Sequence, residues 1–436
     1  MKFDSRGLAV TTDSSEAVAA IDHFADAALT LKAGMEDVTA AARAYPDCPM
    51  LQACAAALYV LSQSSIEAKK ALPLLKRARE RLGDLNEREK IFIDAVAAGG
   101  EGDFDRAIGC YERIAERWPR DMLAAKLAEF HLFETGDADR QLRLMEKIAP
   151  ANADSPHVQA MYAFALELTG RRDRAEQVAY EALQQDPHTM WAQHCLAHVY
   201  GEASRIDEGI AALEKYAPQW TRFGQYIQTH NWFHLATLYL ALLDFDRVLD
   251  AYQRHIWGFR PQEAVEHTDA ILLLWYVELA GGNAGETRWR EIAPHIRAKA
   301  HEQVFPFLTT IYLYALERAG ETAEVDRALY EMERYAETLT GRAAHVWKDV
   351  GLLQARGSIA FARGDYDRAA VMLGPALGEI ACGGGSDEQR GVFTQSHFVS
   401  LNRAGRKHEA QHAFRQYAAG RPGTPLHRKW LAEIGG

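Results

Sequence analysis

Gly102-Asp103-Phe104-Asp105-Arg106-Ala107 is followed by Gly136-Asp137-Ala138-Asp139-Arg140, by Gly170-Arg171-Arg172-Asp173-Arg174-Ala175 and by Ser204-Arg205-Ile206-Asp207-Glu208-Gly209, each starting 34 residues after the one before. That interval is the period of the tetratricopeptide repeat, a pair of antiparallel helices. The glycine accepts the left-handed backbone that ends the first helix of a pair, and the Asp after it caps the second. The small residue that closes most copies lets the two helices approach.

Working outward, less regular copies begin at Leu243, Gly320, Gly364 and Gly405. Between the turns apolar residues recur at helical spacing, as in Val158, Met161, Tyr162, Ala165 and Leu166, so each helix has a stripe to bury. Pro119, Pro150 and Pro187 fall where second helices should stop. No alternating run is long enough to form a sheet. These features predict an all-α, tetratricopeptide-type helical-repeat solenoid, curled into a superhelix around a concave or enclosed central pocket. One continuous body is expected over 1–436, with an N-terminal cap over 1–87, regular repeats over 88–221, and longer, irregular repeats with a C-terminal cap over 222–436.

A composition of 48% hydrophobic and 25% charged residues supports a folded chain, and the net charge of −11 with no basic stripe argues against nucleic acid as a partner. The N-terminal stretch has acidic residues and no long apolar run, so neither a signal peptide nor a membrane anchor is expected. Cys48, Cys54, Cys110, Cys195 and Cys382 are odd in number and lack metal-binding spacing, which points to a reduced, cytoplasmic chain.

The unusual feature is histidine. Eight of the 17 histidines lie between His157 and His267, where an even spread would put about four. In Trp191-Ala192-Gln193-His194-Cys195-Leu196-Ala197-His198, the repeat register assigns Leu196 and Ala197 to the core and turns His194 and His198 toward the groove. In the following first helix, His230 faces the groove and His234 lies near its edge. Stacked helices pack about 8–10 Å apart, so the two pairs can meet. Histidines placed this way donate hydrogen bonds or shuttle protons, which makes His194, His198, His230 and His234 the candidate catalytic set. A metal is the less favoured reading, because no carboxylate stands beside these histidines in the chain and the HExxH glutamate is missing.

Trp191, Asn231, His267, Asp269, Ser386, Gln389 and Arg390 are the candidates to complete a ligand pocket. Asp269 is expected to cap the helix running to Trp275. Ser386 and Gln389 have capping-box spacing. Arg390, behind the glycine loop 383–385, would attract an anion if the C-terminal repeats bring it to the histidines. The expected function is the binding of a small polar or anionic ligand, with catalysis as an extension. The alternative is a scaffold whose groove holds a peptide or helix without chemistry.

The segments His194-x-x-x-His198-Val199 with Asp207-Glu208-Gly209-Ile210, His230-Asn231-Trp232-x-His234-Leu235-Ala236, Asp246-Arg247-Val248-Leu249-x-x-Tyr252-x-x-His255-Ile256 and Gly384-Gly385-Ser386-x-x-Gln389-Arg390 together resemble the tetratricopeptide repeat protein 38 family over most of the chain. The resemblance implies a cytosolic helical-repeat protein and leaves its chemistry open. Relatives tend to carry an Asp and a His around Phe305-Pro306-Phe307-Leu308-Thr309; neither is present here, so chemistry that needs that position does not carry over.

Overall fold

The computed structural model describes residues 1–223 and 225–435, with side chains described outside 221–226. The chain folds as an all-α helical-repeat solenoid of tetratricopeptide type. First helices Met122–Glu134, Pro156–Leu168 and Met190–Glu202 start 34 residues apart, as do the second helices Phe104–Arg117, Ala138–Ile148, Arg172–Gln185 and Ile206–Phe223.

The turn chemistry explains why. Gly102, Gly136, Gly170, Gly320, Gly364 and Gly405 all have positive φ, and side chains of Asp103, Asp137, Asp244 and Asp365 each accept the backbone N–H three residues on. Arg171 replaces the Asp in the third copy, and that helix has no side-chain cap. In the glycine position Ser204 and Leu243 adopt φ of 52° and 64°; the branched Leu243 pays about 1–2 kcal/mol for it. Where the closing residue is Gly209, a Cβ would lie 2.7 Å from the Tyr200 Cβ and 2.9 Å from the Leu238 Cδ1, so the helices meet there because the side chain is absent.

First helices are packed on nearly every side and second helices on one. Val158, Met161, Ala165 and Leu166 are buried as their spacing predicts, while Tyr162 is half-buried. A short antiparallel ladder, Lys2–Phe3 with Ala9–Val10, departs from the strand-free expectation. It is too short to show an alternating pattern, and it is held by Asn86 and Arg88 side chains donating to the Ala9 carbonyl.

The chain forms two compact units, Met1–Leu196 with Gln219–Ile227, and Ala197–Pro218 with Gln228–Gly436. In the first, two buried ion pairs join Arg88 with Asp121 at 2.6 Å and Lys126 with Glu129 at 2.6 Å. In the second, Trp430 donates to the Leu279 carbonyl at 3.2 Å and so ties the last helix, Pro425–Ile434, to the helix Ala264–Leu279. Among the described residues no helix is long and apolar enough to cross a membrane.

Candidate functional site

Parts of four helices that fall in the second unit, Ala264–Leu279 with Asp269 among them, bring histidines and carboxylates together. His198 lies on Met190–Glu202, His230 and His234 lie one turn apart on Gln225–Ala241, and Asp387 and Glu388 open the helix Asp387–Arg403. That last helix starts where Ser386 accepts from the Gln389 N–H at 3.2 Å while the Gln389 side chain accepts from the Ser386 N–H at 3.0 Å. The capping box fixes the entry angle, and the positive end of the helix favours the two carboxylates in its first turn.

The core of the site is a series of contacts. Asp269 Oδ1 lies 2.7 Å from His230 Nδ1, His230 Nε2 lies 3.1 Å from His234 Nε2, and His234 Nδ1 lies 2.7 Å from Glu388 Oε2. The second oxygens of both carboxylates are held too, Asp269 by the Thr229 hydroxyl at 2.9 Å and Glu388 by the Thr237 hydroxyl at 2.6 Å. Tyr276 donates its hydroxyl to the Glu388 carbonyl. His198 stands beside this chain, its ring centroid 4.5 Å from that of His234 and its Nδ1 3.5 Å from Asp387 Oδ1.

Burial lowers the basicity of His234 to a pKa of about 3, against the pull of Glu388. Burial works against the Glu388 carboxylate, but His234, His198 and the Thr237 hydroxyl outweigh it and hold the group below its ordinary range. Asp387 is likewise held low: burial opposes it, and His198 and Arg390 prevail. Counting protons exposes a mismatch. Three contacts in series need one proton each, whereas two neutral imidazoles carry two between them. If each ring carries one N–H, one of the three contacts is left short of a proton and open to a cation.

Asp387 and Glu388 also wall a cavity of about 330 Å³ within the second unit. Its titratable lining comprises the carboxylates of Glu202, Asp387 and Glu388, the guanidinium of Arg421, the imidazole of His427 and the phenols of Tyr276 and Tyr417. Arg421 is spent on Glu202, at 2.6 Å. Three carboxylates facing one paired guanidinium make this cavity a poor place for an anion.

His198, His230 and His234 therefore come together as the register predicts. His194 belongs to the first unit, where it stacks on Trp191 with centroids 4.4 Å apart and meets the edge of Phe164 at 4.9 Å. Trp191 carries the Lys126 ammonium 4.4 Å from its ring centroid and donates to Glu129 at 3.3 Å, so it sits in a packed aromatic and charged cluster of that unit. Asn231 is buried on the helix Gln225–Ala241.

Asp269 does not cap its helix, which begins at Ala264; one and a half turns inside, it is buried as the partner of His230. His267 is not part of the array: its ring nitrogens lie 3.0 Å from the Pro261 carbonyl and 3.2 Å from the Tyr312 hydroxyl, which locks the preceding loop. Ser386 and Gln389 are consumed by the capping box. Arg390 donates to the Gly385 carbonyl of its own loop and acts on the array only through its attraction to Asp387.

Sequence reasoning missed Asp387, Glu388, Thr237 and Thr229. The signal for the two carboxylates was weak, since acidic residues in a first turn are what any helix favours.

No protein-family model matches the chain. Among solved structures it is similar to the human IFIT1 dimer with m7Gppp-AAAA, at 13% identity over 94% of this chain and 98% of that one, with a TM-score of 0.44. It is also similar to the APC/C hetero-tetramer Cut9-Hcn1, at 12% identity over 97% and 96% with a TM-score of 0.35, and to Naa15/Naa10 bound to HypK-THB, at 13% over 96% and 67% with a TM-score of 0.26.

Proposed function

We propose that this chain is a helical-repeat binding protein whose second unit takes up a small polar molecule, neutral or positively charged, in the cavity walled by Asp387 and Glu388. The observation that carries the reading is the wiring of those carboxylates. They face the cavity and are backed by His198 and by the chain Glu388–His234–His230–Asp269. Buried polar groups organised in this way cost stability, and a built site beside a cavity is the usual reason to retain them. The size also suits a small molecule, since pockets for such ligands run from about 300 to 1,000 Å³. A peptide would need an extended groove.

The resemblance to the tetratricopeptide repeat protein 38 family belongs to this proposal, because three of its quoted segments carry His198, His230, His234 and the loop leading to Asp387. A reducing, cytoplasmic setting is in keeping with the free thiols of all five cysteines.

Thermal unfolding of the full chain, freed of metals by chelator, tests the reading with putrescine, ethanolamine, choline and glycerol set against acetate and phosphate. At least one of the first four should raise the midpoint by about 2 °C or more. The gain should vanish in Asp387→Asn. Stabilisation by the anions alone, or by none of the six, would overturn it.

A further inference from the structure

The convergence of two imidazoles and a carboxylate leads further than a hydrogen-bonded relay. We propose that His198, His234 and Glu388 form a site for a divalent transition-metal ion of the zinc type, with His230 and Asp269 orienting it from behind. Each of the three offers a ligand atom, and these atoms lie within 4.8 Å of one another. Ligand bonds of about 2.0–2.1 Å in a tetrahedron put neighbouring ligand atoms roughly 3.3 Å apart, so closing on an ion needs only small side-chain shifts. Two imidazoles and one carboxylate are a donor set that binds such ions and leaves positions open for solvent or substrate.

The groups behind the ligands fit an ion better than they fit a proton. An ion between His234 Nδ1 and Glu388 removes the need for a proton there. The His234 Nε2–H then donates to His230 Nε2, the His230 Nδ1–H donates to Asp269, and two neutral imidazoles supply every proton the series requires. Metal-bound histidines are regularly held this way, through the far ring nitrogen. Thr237 fixes the second oxygen of Glu388, and Asp387 lies against His198. The argument against a metal, that no carboxylate stands beside the histidines in the sequence, is met by the fold, which delivers Glu388 to the neighbourhood of Thr237 from 151 residues away.

The inference deepens the ligand reading, because Glu388 belongs to both the metal site and the cavity wall. An ion there would let the cavity accept oxygen-donor ligands that its carboxylates otherwise repel. Metal uptake is nonetheless measured without any organic ligand, so the two readings fail separately.

The test is a Co²⁺ titration of the full-length chain, purified without a histidine tag and stripped by chelator, followed by its visible absorption bands. Zn²⁺ then competes for the same site. Wild type should take up one Co²⁺ per chain with the intense bands of a low-coordinate site. Glu388→Gln, which keeps the shape of the side chain, and His234→Ala should abolish those bands while circular dichroism stays unchanged. Asp269→Asn should weaken binding about 10- to 100-fold, as loss of an orienting partner does. Uptake below about a tenth of an equivalent, or uptake that survives both Glu388→Gln and His234→Ala, would overturn the proposal. Should His234→Ala unfold, the Gln variant alone decides.

Discussion

Six buried charged or titratable groups of the first unit sit in three pairs, whereas the second unit holds buried histidines in a network assembled from distant turns of the chain. Arg88 meets Asp121 one repeat away, Lys126 meets Glu129 within one turn, and His131 meets Glu134 within one turn at 3.0 Å. By contrast His234 depends on Glu388, and His230 on Asp269. The Arg88–Asp121 pair locks neighbouring repeats together, and the other two act within a single helix. A network that joins three helices beside a cavity does something a stack does not need, and that difference separates scaffold from site.

The largest effect that would sharpen this contrast belongs to the first unit. Arg88→Ala strands the Asp121 carboxylate, whose side chain is only 3% exposed. The loss should be about 3–5 kcal/mol, read from urea unfolding. In the second unit, Asp269→Asn keeps the shape but removes the charge facing His230; a loss of about 1–3 kcal/mol is expected. Thr237→Val removes one hydrogen bond to Glu388 and should cost about 1 kcal/mol in the same assay. A cost for Thr237→Val equal to that of Arg88→Ala would erase the distinction.

The smallest effect concerns pH at an exposed site. His345 lies between Glu379 and Asp349, each 2.9 Å from a ring nitrogen, and these partners raise its pKa above the ordinary value. Its contribution is complete below the unfolded pKa of about 6.5 and is lost as pH rises through the higher folded value. The wild type should therefore lose slightly more stability than His345→Ala between pH 6 and pH 8, measured by thermal midpoints. An identical profile for the two would remove the effect.

The same contrast explains what the sequence could tell. The repeat was legible because each turn is specified by neighbouring residues: Gly102 and Asp103 act within a few positions of themselves, and 34-residue spacing follows. The inward aim of His198, His230 and His234 was legible for the same reason, since helical register is local. Their partners were not. Asp269, preceded by a Thr and followed by an apolar run, has the appearance of a cap, and only the helix start at Ala264 shows otherwise. Asp387 and Glu388 look like the acidic first turn of any capped helix, and nothing near them in the chain points to a histidine. His194 and His198 lie one turn apart on one helix; His194 stacks on Trp191, and His198 lies 3.5 Å from the Asp387 carboxylate. Register gives direction; long-range packing decides what is met.

The central claim is that the second unit's array is kept for binding rather than for stability. Replacing its inner pair by apolar side chains of similar size, in the double variant His230→Phe with Asp269→Leu, tests this most directly through the free energy of unfolding. Exchanging buried, mutually hydrogen-bonded polar partners for well-packed apolar groups of similar size is often neutral or stabilising by about 1–4 kcal/mol, so the variant should be as stable as the wild type or more so. A loss of several kcal/mol would contradict the account and make the histidines part of what holds the fold together.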